Sequence, residues 1–248
     1  MWPTLDDFVS LDYLLAVIVV LAAGISRGML GFGATLLAVP CLMTIYGPRE
    51  AVVVASIIEI PAILTLLPTA IRHADWRFIA PVGVASLVTI PFGAWLLVTL
   101  DPDLARRAIA IAVIVFAALL ASGWRYRGRP PGLTAKLAVG AVSGISGGMA
   151  NIGGPVVVMF LVAANNTAAG VRAGIMAFFS ISGAYRILVY LTIGLYAMPF
   201  ALVAASLSVP YLVGIRTGSR LFPYVSETFF LRLAIGLVLV AGMLALLR

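Results

Sequence analysis

Three charged residues lie inside apolar runs of this chain: Arg27, Glu59 and Arg186. A charge at the centre of a membrane helix costs about 2.5–3.5 kcal/mol on the mildest scale, so each needs a partner or a wet cavity. Two guanidinium groups can hold a small oxyanion by charge-assisted, bidentate hydrogen bonds. A carboxylate beside them can neutralise one arginine while the site is empty, or carry a proton if burial favours its neutral form. Arg27 and Arg186 are therefore candidate ligands for an anion, and Glu59 is a candidate coupling residue. The competing explanation is a static Arg–Glu pair that only fixes helix register.

Two glycine-rich stretches sit in the same apolar runs, GISRGMLGFG at Gly24 to Gly33 and GISGGMANIGGP at Gly144 to Pro155. Glycine costs about 1 kcal/mol per helix-interior position relative to alanine. Backbone freed from helical bonding is tolerated in a bilayer only against protein or a water-filled cavity. Matching breaks in two halves of a hydrophobic chain point to a transporter's binding site. A short helix starting at Gly33 or at Gly154-Pro155 would offer free amides and about half a unit of positive charge to an anion. Gly31, Gly33, Asn151, Gly153 and Gly154 are the backbone candidates for that contact. Ser26, Ser143, Ser146, Ser180, Ser182 and Tyr185 are neutral donors nearby, each equally suited to an ordinary interhelical hydrogen bond. Small residues also let membrane helices pack closely. These glycines are clustered rather than spaced one per turn, which favours the break.

Composition sets the class. Of 248 residues, 63% are hydrophobic and 10% charged, with apolar runs of about 18 or more residues recurring throughout. That excludes a soluble domain and predicts an all-α polytopic membrane protein; the ten-residue alternation of a membrane barrel is absent. The net charge of +7 sits mostly in short loops, where the positive-inside rule accounts for it without nucleic acid. Cys41 and His73 stand alone as their residue types, so neither a disulfide nor a metal cluster is expected. No cofactor motif is present, and no P-loop. The N-terminus carries Asp6, Asp7 and Asp12 and no early basic residue, so the first apolar run is expected in the mature protein.

Read in order, the chain predicts a short helix from Leu11 to Ile25, the first break, and a second short helix from Ala34 to Tyr46. Full spans follow at 51–71, 78–100 and 104–121, with Pro61 and Pro91 inside the first two. After an Arg-rich linker the pattern returns: a short helix at 137–150, the second break, a short helix at 155–164, then spans at 171–193, 198–215 and 227–247. GISRG and GISGG are offset by 120 residues, and Arg49 and Arg172 by 123, so the chain reads as an internal duplication. The units are residues 11–122, a cytoplasmic linker at 123–135, and residues 136–247. If each short pair returns to its own side, three further spans per unit invert the two repeats. Arg72, Arg77, Arg125, Arg127, Arg129, Lys136, Arg172, Arg216 and Arg220 then share the cytoplasmic face.

The glycine stretches, the helix end near Val39-Pro40, GPREAVVVAS at Gly47 to Ser56 and the RHADWR loop at Arg72 to Arg77 resemble the TauE/SafE family. The likeness covers roughly Leu11 to Leu246. It implies a multi-pass protein of the cell inner membrane that moves a small sulfur oxyanion, sulfite or an organosulfonate, and exports it. The family's glycine motif falls on Gly28, Gly31 and Gly33 in the first copy and on Gly148, Gly153 and Gly154 in the second. Arg27 stands where the second copy has Gly147, and Asn151 where the first has Gly31. A homodimer is compatible with this reading, membrane lipid is required by it, and no enzymatic activity is expected. An anion channel is the nearest alternative. An intramembrane serine protease is the remote one, because Ser146 in GISG has no histidine in its own half.

Overall fold

The structure is a computed structural model that describes residues 10–30, 33–122, 132–163, 168–196 and 198–221, with isolated positions at 224, 236, 239, 242 and 243. Among them the chain is helical, without strands. In the first half, α1 is Leu11–Leu30, α2 Ala34–Tyr46, α3 Pro48–Ile58, α4 Ile60–His73, α5 Trp76–Thr99 and α6 Pro102–Ala121. In the second, α7 is Leu133–Ala150, α8 Gly154–Ala163, α9 Ala168–Thr192, α10 Met198–Ser206 and α11 Ser208–Leu221. Six stretches are long and apolar enough to cross a membrane. At 1.5 Å per residue, 20 residues such as those of α6 give about 30 Å, the thickness of the hydrocarbon layer.

Side-chain exposure agrees with that reading. Val84, Val88, Phe92 and Trp95 recur along one face of α5 and all point outward, Val88 at 72% exposure. Ile111 and Val115 do the same on α6. Apolar surface this continuous is what lipid covers.

Local chemistry sets the helix ends. The Tyr13 amide donates to the Ser10 hydroxyl at 3.1 Å, capping α1. Asp75 accepts from the Arg77 amide and Asp101 from the Asp103 amide, with Pro102 in the first turn of α6 where no donor is needed. The Trp76 indole donates to the Ile71 carbonyl at the start of α5.

Three boundaries differ from the sequence expectation. Helix α1 does not stop at Ile25 but runs to Leu30, straight through Gly24 and Gly28. The span at 51–71 is divided into α3 and α4 at Glu59, because Pro61 lacks an amide donor and its ring crowds the carbonyl four residues back. The span at 198–215 is divided at Leu207 into α10 and α11. Pro91, by contrast, lies inside an unbroken α5. Most of the linker at 123–135 and most of 227–247 lie outside the described residues, as does Gly31.

Glycine spacing explains the main interfaces. On α7, Gly140, Gly144 and Gly148 are four apart and share a face. A methyl group at any of them would run into backbone oxygens of Val82, Ser86 or Ile90 on α5. Gly24 and Gly28 on α1 meet Tyr211 and Ile215 on α11 in the same way, and Gly214 and Gly218 reciprocate against Leu21 and Ile25. In both pairs the residue numbers advance together, so the helices run parallel at backbone contact. These five glycines of α1 and α7 are packing residues, not breaks. Close helix packing holds wherever the spacing is one per turn. Each half thereby lends a long helix to the other: α5 lies on α7, and α11 on α1.

Candidate functional site

What remains of each glycine stretch as a true interruption is short. The chain leaves α7 at Asn151, which adopts a left-handed conformation (φ 58°) while its amide still bonds to the Gly147 carbonyl at 2.8 Å. Asparagine is one of the few residues that enters this region readily. Residues 151–153 then turn back, pinned by the Ser143 hydroxyl donating to the Gly153 carbonyl at 2.7 Å. Helix α8 starts at Gly154-Pro155. On the other side α2 starts after Gly33, also left-handed at φ 85°.

Both helix starts open into one partly enclosed cavity of ≈ 30 Å³, room for about two water molecules. No side chain caps α2, and its first helical bond joins the Leu37 amide to the Gly33 carbonyl. The amides of residues 34–36 therefore have no acceptor within the helix, and the positive end of the helix dipole faces the cavity. Gly33, Gly153 and Gly154 line it with Asn151, as the sequence suggested.

The three intramembrane charges meet there. Helix α1 supplies Arg27, the discontinuity between α3 and α4 supplies Glu59, and α9 supplies Arg186. Arg27 Nη1 donates to Glu59 Oε1 at 2.6 Å. Arg186 Nη2 reaches Glu59 Oε2 at 3.4 Å, and Asn151 Nδ2 reaches the same oxygen at 3.5 Å. Arg186 is only 5% exposed and Glu59 only 7%. Two guanidinium groups against one carboxylate leave a net positive charge in the protein interior. The Arg186 Nε has no hydrogen-bond partner among the described residues, and the fully buried Tyr211 hydroxyl lies beside Arg27. An unmade buried hydrogen bond costs about 1–3 kcal/mol, more on a charged group, so an orphaned guanidinium N–H marks a place where a further acceptor belongs.

Several cavity residues gave no signal in the sequence. Thr35 and Ser86 line it, and so do Phe178 and Phe179. Their helices carry the same apolar pattern whether they face lipid or a cavity. Among the neutral donors, Ser143 and Ser182 reach the cavity. Ser26 and Ser180 are buried elsewhere, Tyr185 packs against the core, and Ser146 bonds back to the Val142 carbonyl at 2.7 Å.

This is a multi-pass helical membrane protein with a positively charged cavity between the starts of two half-length helices. A family model described as Sulfite exporter TauE/SafE matches residues 16–246, and the chain belongs to that family. Membership makes it a membrane transporter of the sulfite-exporter type. No curated protein and no solved structure matches it.

Proposed function

We propose that this protein is a secondary transporter that exports a small sulfur oxyanion, sulfite or an organosulfonate, across the cell inner membrane. The observation that carries the reading is the cavity itself, with net positive charge, uncapped helix amides and an unsatisfied Arg186 Nε. The anion sits among Arg27, Arg186, Gly33, Asn151, Gly153 and Gly154; Gly31, expected there from the sequence, lies outside the described residues. Glu59 is the coupling residue, because it is the one carboxylate within ion-pair reach of either arginine among the described residues. An inside-negative potential also drives an anion outward, by about 2.3 kcal/mol per charge per 100 mV.

The chain divides into inverted repeats at 11–122 and 136–247, joined by a cytoplasmic linker. The reciprocal loan of α5 and α11 supports that division. Access alternates as bundles move about the midplane site. Apolar packing favours this over an open channel: a continuous pore would need a wet path, and Phe78, Val139, Phe160 and Phe178 pack together on the side where α5 and α7 begin. The serine-protease alternative has no support, since Ser146 is spent on its own helix.

Purified protein in liposomes tests the proposal. Saturable sulfite flux, competed by sulfonates and driven against a gradient by potential or protons, is expected. Flux that only equilibrates sulfite would favour a channel. Absence of sulfite binding by thermal shift, together with absence of flux, would sink the anion reading.

A further inference from the structure

The two arginines are not equivalent, and the difference lies in what already occupies them. The Arg27–Glu59 contact at 2.6 Å is a tight charge-assisted bond to Oε1. The other carboxylate oxygen, Oε2, has two long contacts among the described residues, Arg186 at 3.4 Å and Asn151 at 3.5 Å. An acceptor arriving in the cavity can displace Oε2 far more readily than Oε1. The edge of Arg186 that bears Nε and Nη2 is half empty. Nη2 is loosely engaged and, among the described residues, Nε has no partner, on a residue only 5% exposed. That edge is the one a guanidinium uses to grip two oxygens of one oxyanion side by side.

Space around the group agrees. A methyl group at Gly147 would stand 3.9 Å from Arg186 Nη1, and one at Gly183 would stand 3.6 Å from Nη2. Glycines thus lie beside the guanidinium on α7 and on its own helix α9, and neither position sets a side chain against it. Charge counting completes the picture. Arg27 and Glu59 cancel, so the uncompensated positive charge of the cavity belongs to Arg186.

Resting on the anion-transport reading above, we propose a division of labour. Arg186 alone grips the anion, through Nε and Nη2. Glu59 is an internal competitor that lends Oε2 to Arg186 while the site is empty. Arg27 is a positioning residue, which holds Glu59 by Oε1 and neutralises it whether or not the anion is bound. The arriving anion breaks the Arg186–Glu59 contact and leaves Arg27–Glu59 intact.

The test is a charge-rescue series on the full-length protein, with sulfite as the probe, reading equilibrium binding by thermal shift and uptake kinetics in liposomes. R186Q should lose binding about a hundredfold, because one partner of a buried charged contact is gone. R186K should lose about tenfold, since an ammonium cannot bond side by side. R27Q should also weaken binding, by leaving Glu59 free to occupy Arg186. R27Q/E59Q should recover at least tenfold over R27Q, whereas R186Q/E59Q should stay as weak as R186Q. E59Q alone should tighten equilibrium binding, because the competitor is removed, while slowing turnover. R27K keeps the charge that steadies Glu59 and should bind closer to native than R186K does.

If R27Q/E59Q binds no better than R27Q, or R27K loses as much as R186K, the division of labour is wrong and both arginines clamp the anion. Should R27Q fail to fold, the charge-neutral R27Q/E59Q and R27K decide the matter. Native protein that binds no sulfite and carries none would overturn the underlying transport reading instead, which is a different result.

Discussion

Gly148 faces α5, where a side chain would meet the Ile90 carbonyl, whereas Gly147, one residue earlier, faces Arg186, which a methyl there would only touch at ordinary contact distance. The same contrast runs through both glycine stretches. Gly24, Gly28, Gly140, Gly144 and Gly148 recur at intervals of four and let helices touch backbone to backbone. Gly33 and Gly147 leave room around the charges. One residue type serves two ends, and the register on the helix decides which. A packing glycine protects the fold and a cavity glycine keeps side chains out of the cavity, so substitutions at the two kinds of site should fail in different assays.

The largest effect is expected at the packing face. Gly148→Leu should abolish folded protein, seen as loss of a monodisperse peak on size exclusion, and Gly148→Ala should cost about 3 kcal/mol as an overpacked contact. If Gly148→Ala leaves thermal stability unchanged, α5 and α7 are not in backbone contact. Next comes Gly33→Ala. Nothing lies within 4 Å of the added methyl, but the left-handed backbone at φ 85° would be strained by about 1–2 kcal/mol. Modestly lower stability with clearly weaker sulfite binding is the expected pair of results; a stability loss as large as that of Gly148→Ala would erase the distinction.

Smaller still should be Gly147→Ala, where the new methyl only touches Arg186 at an ordinary distance. Stability should stay within about 0.5 kcal/mol, while sulfite affinity should fall by a few-fold as the guanidinium is crowded. Asn151→Gly should have the mildest effect, because glycine keeps the left-handed turn and only the 3.5 Å contact to Glu59 is lost. A loss of sulfite binding as complete as that of R186Q would show that Asn151 grips the anion directly.

Much of the site was legible in the chain. Arg27, Glu59 and Arg186 stood out because ionisable groups in apolar helices are costly, and the starts of α2 and α8 were marked by Gly33 and by Gly154-Pro155. The extent of the breaks was not legible. Judged by clustering, the chain is unwound from Ser26 to Gly33; in fact α1 continues to Leu30, because α11 brings complementary glycines to the same face. The division at Glu59 was visible only as a proline two residues later. Ser86, Phe178 and Phe179 could not be found at all, since nothing in a helix's own composition says whether a given face meets lipid, a neighbour or a cavity.

Hydropathy, charge placement and the glycine motifs are local properties of the chain. They were enough to determine an all-α membrane protein, its family and the three residues whose burial needed explaining. Only tertiary structure decided that these three meet, for Glu59 lies 32 residues from Arg27 and 127 from Arg186. It also decided how unequally they share the carboxylate. Such a meeting depends on which helix faces pair across the molecule, and that is settled by packing among distant segments.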